Sequence, residues 1–236
     1  MKKLLTYAVV VATIAWSFGL GAVVPLASAA YTPVAGDLIK IASDSAVYYI
    51  DSNGKRNLTV NAGTFWTWYS GSWSSIKFGA DTKTIKVISQ ADFDALPSSG
   101  KNVSVRPGTL LKIGKTSTKI FAVSSELGAD GKPVKYEMTD AVAKALFGND
   151  YACKVVTVTT SFENDYSTDA KSLTSSSKLP DGFLAKYTGT SDIYYLEGGK
   201  KRAVSGDAFT ANKFKNSSVW SIPTSMTYDA GSSITG

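Results

Sequence analysis

Histidine is missing from all 236 residues, and cysteine occurs once, at Cys153. Without imidazole the chain cannot build a Ser-His-Asp or Cys-His catalytic pair, a histidine-ligated zinc site or a histidine pH switch. A single thiol allows no intramolecular disulfide, so the fold must be held by its core. Cys153, within YACKVVTV, is expected to act as a buried small hydrophobe rather than an intermolecular bridge. Carboxylate-only chemistry survives these absences, because a glycosidase needs just two Asp or Glu side chains at the correct separation. The candidates, Asp92 with Asp94 and Glu163 with Asp165, lie in short polar stretches that read more simply as helix or turn residues. No catalytic residue is assigned. The DSNG of Asp51 to Gly54 has the start of a calcium loop, but Lys55 stands where an oxygen ligand belongs and no Glu closes the loop at its twelfth position. A hairpin turn is expected there, with no metal and no cofactor.

What is present is an ordinary folded composition, 44% hydrophobic and 19% charged, preceded by an unusual N-terminus. Lys2 and Lys3 lead into an uncharged apolar run that ends in small residues, with Ala27 and Ala29 placed as the minus-three and minus-one positions of a cleavage site. Residues 1–29 therefore read as a secretory signal peptide. An uncleaved anchor is the alternative, since the run from Leu4 is long enough to span a bilayer. Either way the remaining chain is expected outside the cytoplasm, with no membrane span after cleavage. Removing the two leader lysines lowers the basic residues from 25 to 23 against 19 acids, a charge of about +4. That modest excess suits loose attraction to anionic wall polymers or simply a mixed soluble surface, and it does not suggest nucleic acid.

Three segments align: GDLIKIASDSAVYYI from Gly36, GTLLKIGKTSTKIFAV from Gly108 and GFLAKYTGTSDIYYL from Gly182. Each has Gly, a variable residue, Leu, an apolar residue and Lys, and then Tyr48-Tyr49, Ile120-Phe121 or Tyr194-Tyr195 at matching distance. Asn53-Gly54 and Gly198-Gly199 supply the turn that follows in the first and third, so each segment predicts a β-hairpin. Its return strand is basic: Lys55 and Arg56 in the first, Lys200, Lys201 and Arg202 in the third, and only Lys132 and Lys135 around the longer turn of the second. These residues read either as contacts to anionic glycans or, preferably, as edge-strand charges that discourage aggregation. Helical segments follow in AGTFWTWY, TDAVAKALFG and SGDAFTANKF, with Thr139 or Asp140 and Ser205 or Asp207 as caps for the second and third. β-Branched strands then return from Lys83, Lys154 and Ser218, and SQADFDALP adds a short helix whose analogue is TSFENDY.

The predicted fold is mainly β with short helices (α+β), in tandem hairpin, short-helix and strand units. They span residues 30–107, 108–178 and a short or truncated 179–236, and are expected to share a core or pack end to end. Ser98 to Pro107 and Ser167 to Pro180 read as polar connectors, with SLTSSSKLP the most linker-like. Asn57, Asn102 and Asn216 begin Asn-X-Ser/Thr triplets, which matter only in a glycosylating host. FWTWYSGSW, Phe65 to Trp73, is the densest aromatic stretch. Tyr69 and Trp73 are spaced like Phe147 and Tyr151, so Phe65, Tyr69 and Trp73 are assigned to the core, and the question of a stacking surface narrows to Trp66 and Trp68.

The combination of AVYYIDSNGKR, TFWTWY, IKVISQADFDALPSSGKNVSVRPGTLLKI and ALFGNDY resembles repeats of secreted bacterial cell-surface proteins described as S-layer-like. The likeness runs from Gly36 to about Tyr166, with a weaker echo beyond, and departs from the pattern at FGADTKTI from Phe78 and at Cys153. It implies an extracellular structural or adhesive role, with self-association, neighbouring surface proteins or wall glycan as partners. The expected function is a secreted, non-enzymatic S-layer-like or envelope protein. The alternative is a carbohydrate-binding module or adhesin, with Trp66, Trp68, Lys55, Arg56, Lys201 and Arg202 as glycan or partner contacts. A wall hydrolase using carboxylates is the least favoured reading.

Overall fold

The structure, a computed structural model, describes residues 30–69, 76 and 85–235. The expected leader, Trp73 and most of FGADTKTI lie outside the described residues. From Pro33 onward the chain packs as one unit. The first run of elements is β1 (Leu38–Ile41), β2 (Tyr48–Ile50), β3 (Arg56–Thr59), α1 (Ala62–Trp68), β4 (Lys86–Ile88), α2 (Gln90–Ala95) and β5 (Ser98–Val103). The second is β6 (Leu110–Ile113), β7 (Ile120–Leu127), β8 (Pro133–Met138), α3 (Asp140–Phe147), β9 (Val155–Val158) and β10 (Lys171–Ser172), with 3-10 turns at Asn149–Lys154 and Thr160–Asp165. The third is β11 (Leu184–Tyr187), β12 (Tyr194–Glu197), β13 (Lys200–Ala203), α4 (Gly206–Ala211), β14 (Val219–Ile222) and β15 (Asp229–Ala230).

These strands make three five-stranded mixed sheets, ordered β4-β1-β2-β3-β5, β10-β8-β7-β6-β9 and β14-β11-β12-β13-β15. In each, three antiparallel strands are flanked by two outer strands that run parallel to their neighbours. The helices begin at side-chain caps. Asn61 accepts from the Thr64 N–H, Ser89 from Asp92, Thr139 from Val142 and Ser205 from Ala208, each satisfying a donor the helix cannot.

The recurrent glycine opens the first strand of each sheet in a left-handed conformation, with φ of 91° at Gly36, 85° at Gly108 and 96° at Gly182. Its N–H donates to the carbonyl of Ile50, Val123 or Leu196 at 2.8, 2.8 and 2.7 Å, and the carbonyl of the next residue accepts from the same partner. Only glycine enters that region without steric penalty, which accounts for its presence at these positions. The partner register corrects one alignment. Leu38 faces Tyr49 and Leu184 faces Tyr195, but Leu110 faces Ala122, so Phe121-Ala122 rather than Ile120-Phe121 occupies the place of the tyrosine pairs. The pairing in the second sheet is shifted by one residue, Leu111 to Phe121 against Ile39 to Tyr48 and Ala185 to Tyr194, and the strand period of two carries that shift to every side chain after it.

The second sheet is buried on both faces. Leu110, Ile120 and Ala122 join Phe147, Phe183, Leu196, Trp220 and Ile222 in one cluster, while Leu111, Ile113, Phe121 and Val123 join Val105, Val158 and Tyr166 in another. Alternation along β6 and β7 feeds both. The first sheet has its own cluster of Leu38, Val47, Phe65, Ile76 and Ile85. Between the second and third sheets the backbones touch: a Cβ on Gly108 would lie 2.5 Å from the Gly182 carbonyl oxygen, and one on Gly182 2.6 Å from Pro107 Cβ.

Three expectations need correction. Ser98 to Val103 is not connector but the outer strand β5, and Lys171–Ser172 is β10, because parallel pairing to β3 and β8 satisfies their backbones whatever their side chains. Within SLTSSSKLP, Leu173 and Leu179 are buried in the cluster between the second and third sheets, and the Leu179 N–H donates to the Tyr228 hydroxyl at 2.7 Å. Cys153 is exposed, because its 3-10 turn points Tyr151 into the core instead. Phe65 is buried as expected, and Tyr69 is half-buried, stacked on it at 4.6 Å. No helix among the described residues is long and apolar enough to cross a membrane.

Candidate functional site

Helix α1 carries both tryptophans, and three neighbours fix it. The Asn61 amide donates to the Thr157 carbonyl at 3.0 Å, and Gly63 lies so close to β9 that a Cβ would sit 3.0 Å from Val156. The Trp68 indole N–H donates to the Ser104 carbonyl at 2.8 Å, while Thr67 Oγ1 accepts from the Arg106 N–H at 2.9 Å.

The C-terminal ends of α1 and α4 are then capped by cations from other parts of the chain. The Lys215 ammonium donates to the Trp66 and Tyr69 carbonyls at the end of α1. The Arg106 guanidinium donates to the Asn212 carbonyl at 2.8 Å and the Lys213 carbonyl at 2.7 Å, just past α4. Helix ends leave carbonyls without intrahelical partners and carry partial negative charge, so each cation meets both needs. The guanidinium also lies 4.8 Å from the Phe214 ring and 5.6 Å from the Trp68 ring. Burial and the nearby Arg106 charge pull the Lys215 ammonium down to about 8, and burial lowers Arg106 itself.

Beside this junction lies a cavity of about 390 Å³, walled by Tyr49, Phe65, Trp68 and Tyr69, with Arg106 and Lys213 among its lining residues. That volume falls in the range of small-ligand sites, and the mix of aromatic faces with few polar groups matches them too. Burial, with the adjacent Tyr49, pushes the Tyr69 phenol up to about 12. Lys213 has a left-handed backbone, φ 52°, without being glycine, and its side chain is exposed. A neighbouring hollow of about 440 Å³ is lined by Trp66, Tyr69, Phe209, Phe214 and Lys215.

Comparison with protein-family models, curated proteins and solved structures gives no match. The site therefore stands on its own geometry.

Of the residues singled out in the sequence, Trp66 and Trp68 share α1 and are half-buried, with Trp66 edge-on to Phe65 at 4.9 Å. The four basic residues divide between the first and third hairpins. Lys55 is exposed in the DSNG turn, where its N–H donates to Asp51 Oδ1 at 2.9 Å. That bond, with others from Asn57 and Asn53, holds the Asp51 carboxyl below its usual range. Arg56 lies 4.0 Å over the Phe93 ring and donates to the Phe93 carbonyl, tying β3 to α2. Lys201 sits 4.8 Å from the Tyr187 ring and 5.2 Å from the Tyr194 ring. Arg202 pairs with Glu197 and donates to the Ser232 carbonyl at 2.8 Å. Arg56, Lys135 and Lys201 hold the same rung of their sheets, opposite Ile50, Val123 and Leu196, and each lies over an aromatic ring.

Three of the four carboxylate candidates, Asp92, Asp94 and Asp165, accept side-chain hydrogen bonds. Asp92 accepts from the Ser89 hydroxyl at 2.7 Å, and Asp94 from the Gln90 amide at 2.8 Å. Both Asp165 oxygens accept from Asn102 at 3.1 Å, while burial raises that carboxyl. No group of three His, Cys, Asp or Glu able to hold a metal occurs among the described residues. Sequence reasoning missed Arg106, Lys213 and Lys215. The basic-aromatic triplet Lys213-Phe214-Lys215 directly after a helical segment was the available signal.

Proposed function

We propose that this chain is a secreted, non-enzymatic cell-surface structural protein, S-layer-like or envelope-associated, built of tandem units that associate with one another or with cell-wall polymers. The observation that carries the reading is the threefold recurrence of one strand order, each opened by a left-handed glycine with the same hydrogen bonds. Units of this kind bury little area alone and gain stability from their neighbours, as stacked modules do. The leader-like N-terminus, an uncharged apolar run after Lys2 and Lys3, supports an extracellular setting. Sedimentation velocity across a range of concentrations, with and without isolated wall material, tests the proposal. Concentration-dependent assembly or co-sedimentation with wall material is expected, and a chain that stays monomeric and unbound under all conditions overturns it. A second reading, a carbohydrate-binding module or adhesin, is favoured by the aromatic cavity beside Trp68.

A further inference from the structure

We infer that the cavity between α1 and the end of α4 is a binding site for an acidic sugar residue, a pyranose ring bearing a carboxylate. Four aromatic side chains, Tyr49, Phe65, Trp68 and Tyr69, form its walls, and flat apolar faces of this kind suit the C–H face of a sugar ring. The walls are fixed in advance. Trp68 is held by its bond to the Ser104 carbonyl, and Tyr69 by its stack on Phe65.

The polar groups point to what the ring must carry. The Tyr69 phenol is desolvated, with no hydrogen bond to a protein group among the described residues, and so offers a donor to a ligand hydroxyl. Two cations, Arg106 and Lys213, border the same space. Arg106 is largely occupied by carbonyls, whereas the Lys213 ammonium makes no ion pair among the described residues. Lys213 is held at positive φ by the turn that ends α4, in which its N–H donates to the Thr210 carbonyl and the Phe214 N–H to the Phe209 carbonyl, both at 2.9 Å. That turn sets the lysine beside the aromatic cavity, where its charge is complementary to an anion on the ligand. Room remains beside Gly36, another lining residue, where a Cβ would meet nothing within 4 Å. This site does not depend on self-association, so either proposal can fail without the other.

The test titrates the purified protein with a galacturonic acid trisaccharide and with its neutral galactose counterpart, read by tryptophan fluorescence and calorimetry. Two variants that retain the packing are titrated alongside. Tyr69→Phe keeps the ring and removes the hydroxyl, and Lys213→Gly removes the charge and relieves the backbone. We expect saturable binding of the acidic sugar, weakened about tenfold by each variant, with the neutral sugar weaker and insensitive to Lys213→Gly. Equal binding of both sugars, binding unchanged in both variants, or no binding of the acidic sugar would each overturn the assignment.

Discussion

Replacing the recurrent glycines by alanine separates backbone strain from packing between sheets. Gly36, Gly108 and Gly182 share φ, position and hydrogen bonds, but their surroundings differ. A methyl on Gly36 meets nothing within 4 Å, whereas one on Gly182 meets Pro107 Cβ at 2.6 Å and the Ser125 backbone nitrogen at 2.9 Å. On Gly108 it meets the Gly182 carbonyl oxygen at 2.5 Å. Forcing an L-residue to positive φ costs about 1–2 kcal/mol, and the stiffer unfolded chain returns up to about 1 kcal/mol of that. Gly36→Ala should therefore lose about 1 kcal/mol. At the other two positions the atoms in the way are backbone or ring, which cannot swing aside, and overpacking adds about 1–3 kcal/mol. Urea unfolding followed by tryptophan fluorescence measures all three as midpoint shifts at constant slope. Equal losses at Gly36 and Gly182 would refute the close approach of the second and third sheets.

The remaining predictions concern charge. Tyr69, Tyr151, Tyr166 and Tyr228 are each pushed up to about 12, mainly by burial at Tyr69, Tyr166 and Tyr228 and by the Asp140 carboxylate at Tyr151. The unfolded chain ionises these phenols near pH 10, so their contribution is fully present below pH 10 and is lost between about pH 10 and 12. Ultraviolet titration of the native protein should show two groups of tyrosines, and a single transition near pH 10 would contradict the burial. Lys215→Met removes the cap on the end of α1 and should cost about 1–2 kcal/mol in thermal or urea unfolding. Because the native Lys215 ammonium titrates near 8, below its unfolded value, it contributes a rise in stability from about pH 8 to 10.4, of about 1 kcal/mol once its partial exposure is allowed for. The variant should lack that rise, and identical pH curves would count against the cap.

How much of this was legible in the sequence depended on the range of the interaction. The hairpins could be read because glycine, turn residues and alternating apolar positions lie within about fifteen residues of one another. Helix starts could be read because Thr139 and Ser205 cap residues three positions away. The one-residue shift in β7 escaped because Ile120 and Phe121 are both apolar and both buried, on opposite faces. Strands β5 and β10 escaped because parallel pairing across a sheet leaves no local trace in Ser, Gly and Lys. The candidate site was half visible. Trp68 and Tyr69 stood out, but the cations that frame them come from far along the chain: Lys215 lies 149 residues from Trp66, and Arg106 lies 107 residues from Lys213.

The second sheet, apolar on both faces, also sets an order on how the chain can be made. By the time Met138 has been synthesised, β6, β7 and β8 can pair, and the face carrying Phe121 and Val123 already has Val60 and Val105 to pack on, with Val158 and Tyr166 following. The face carrying Ile120 and Ala122 gains Leu146, Phe147 and Tyr151 soon afterwards, but its cover is incomplete until Phe183, Trp220 and Ile222 arrive. At translation rates of about 5–20 residues per second, the roughly 80 residues between Met138 and Ile222 leave that face only partly covered for about 4–17 s. During that interval the nascent chain presents a sticky surface, which gives a holdase chaperone a defined window in which to act.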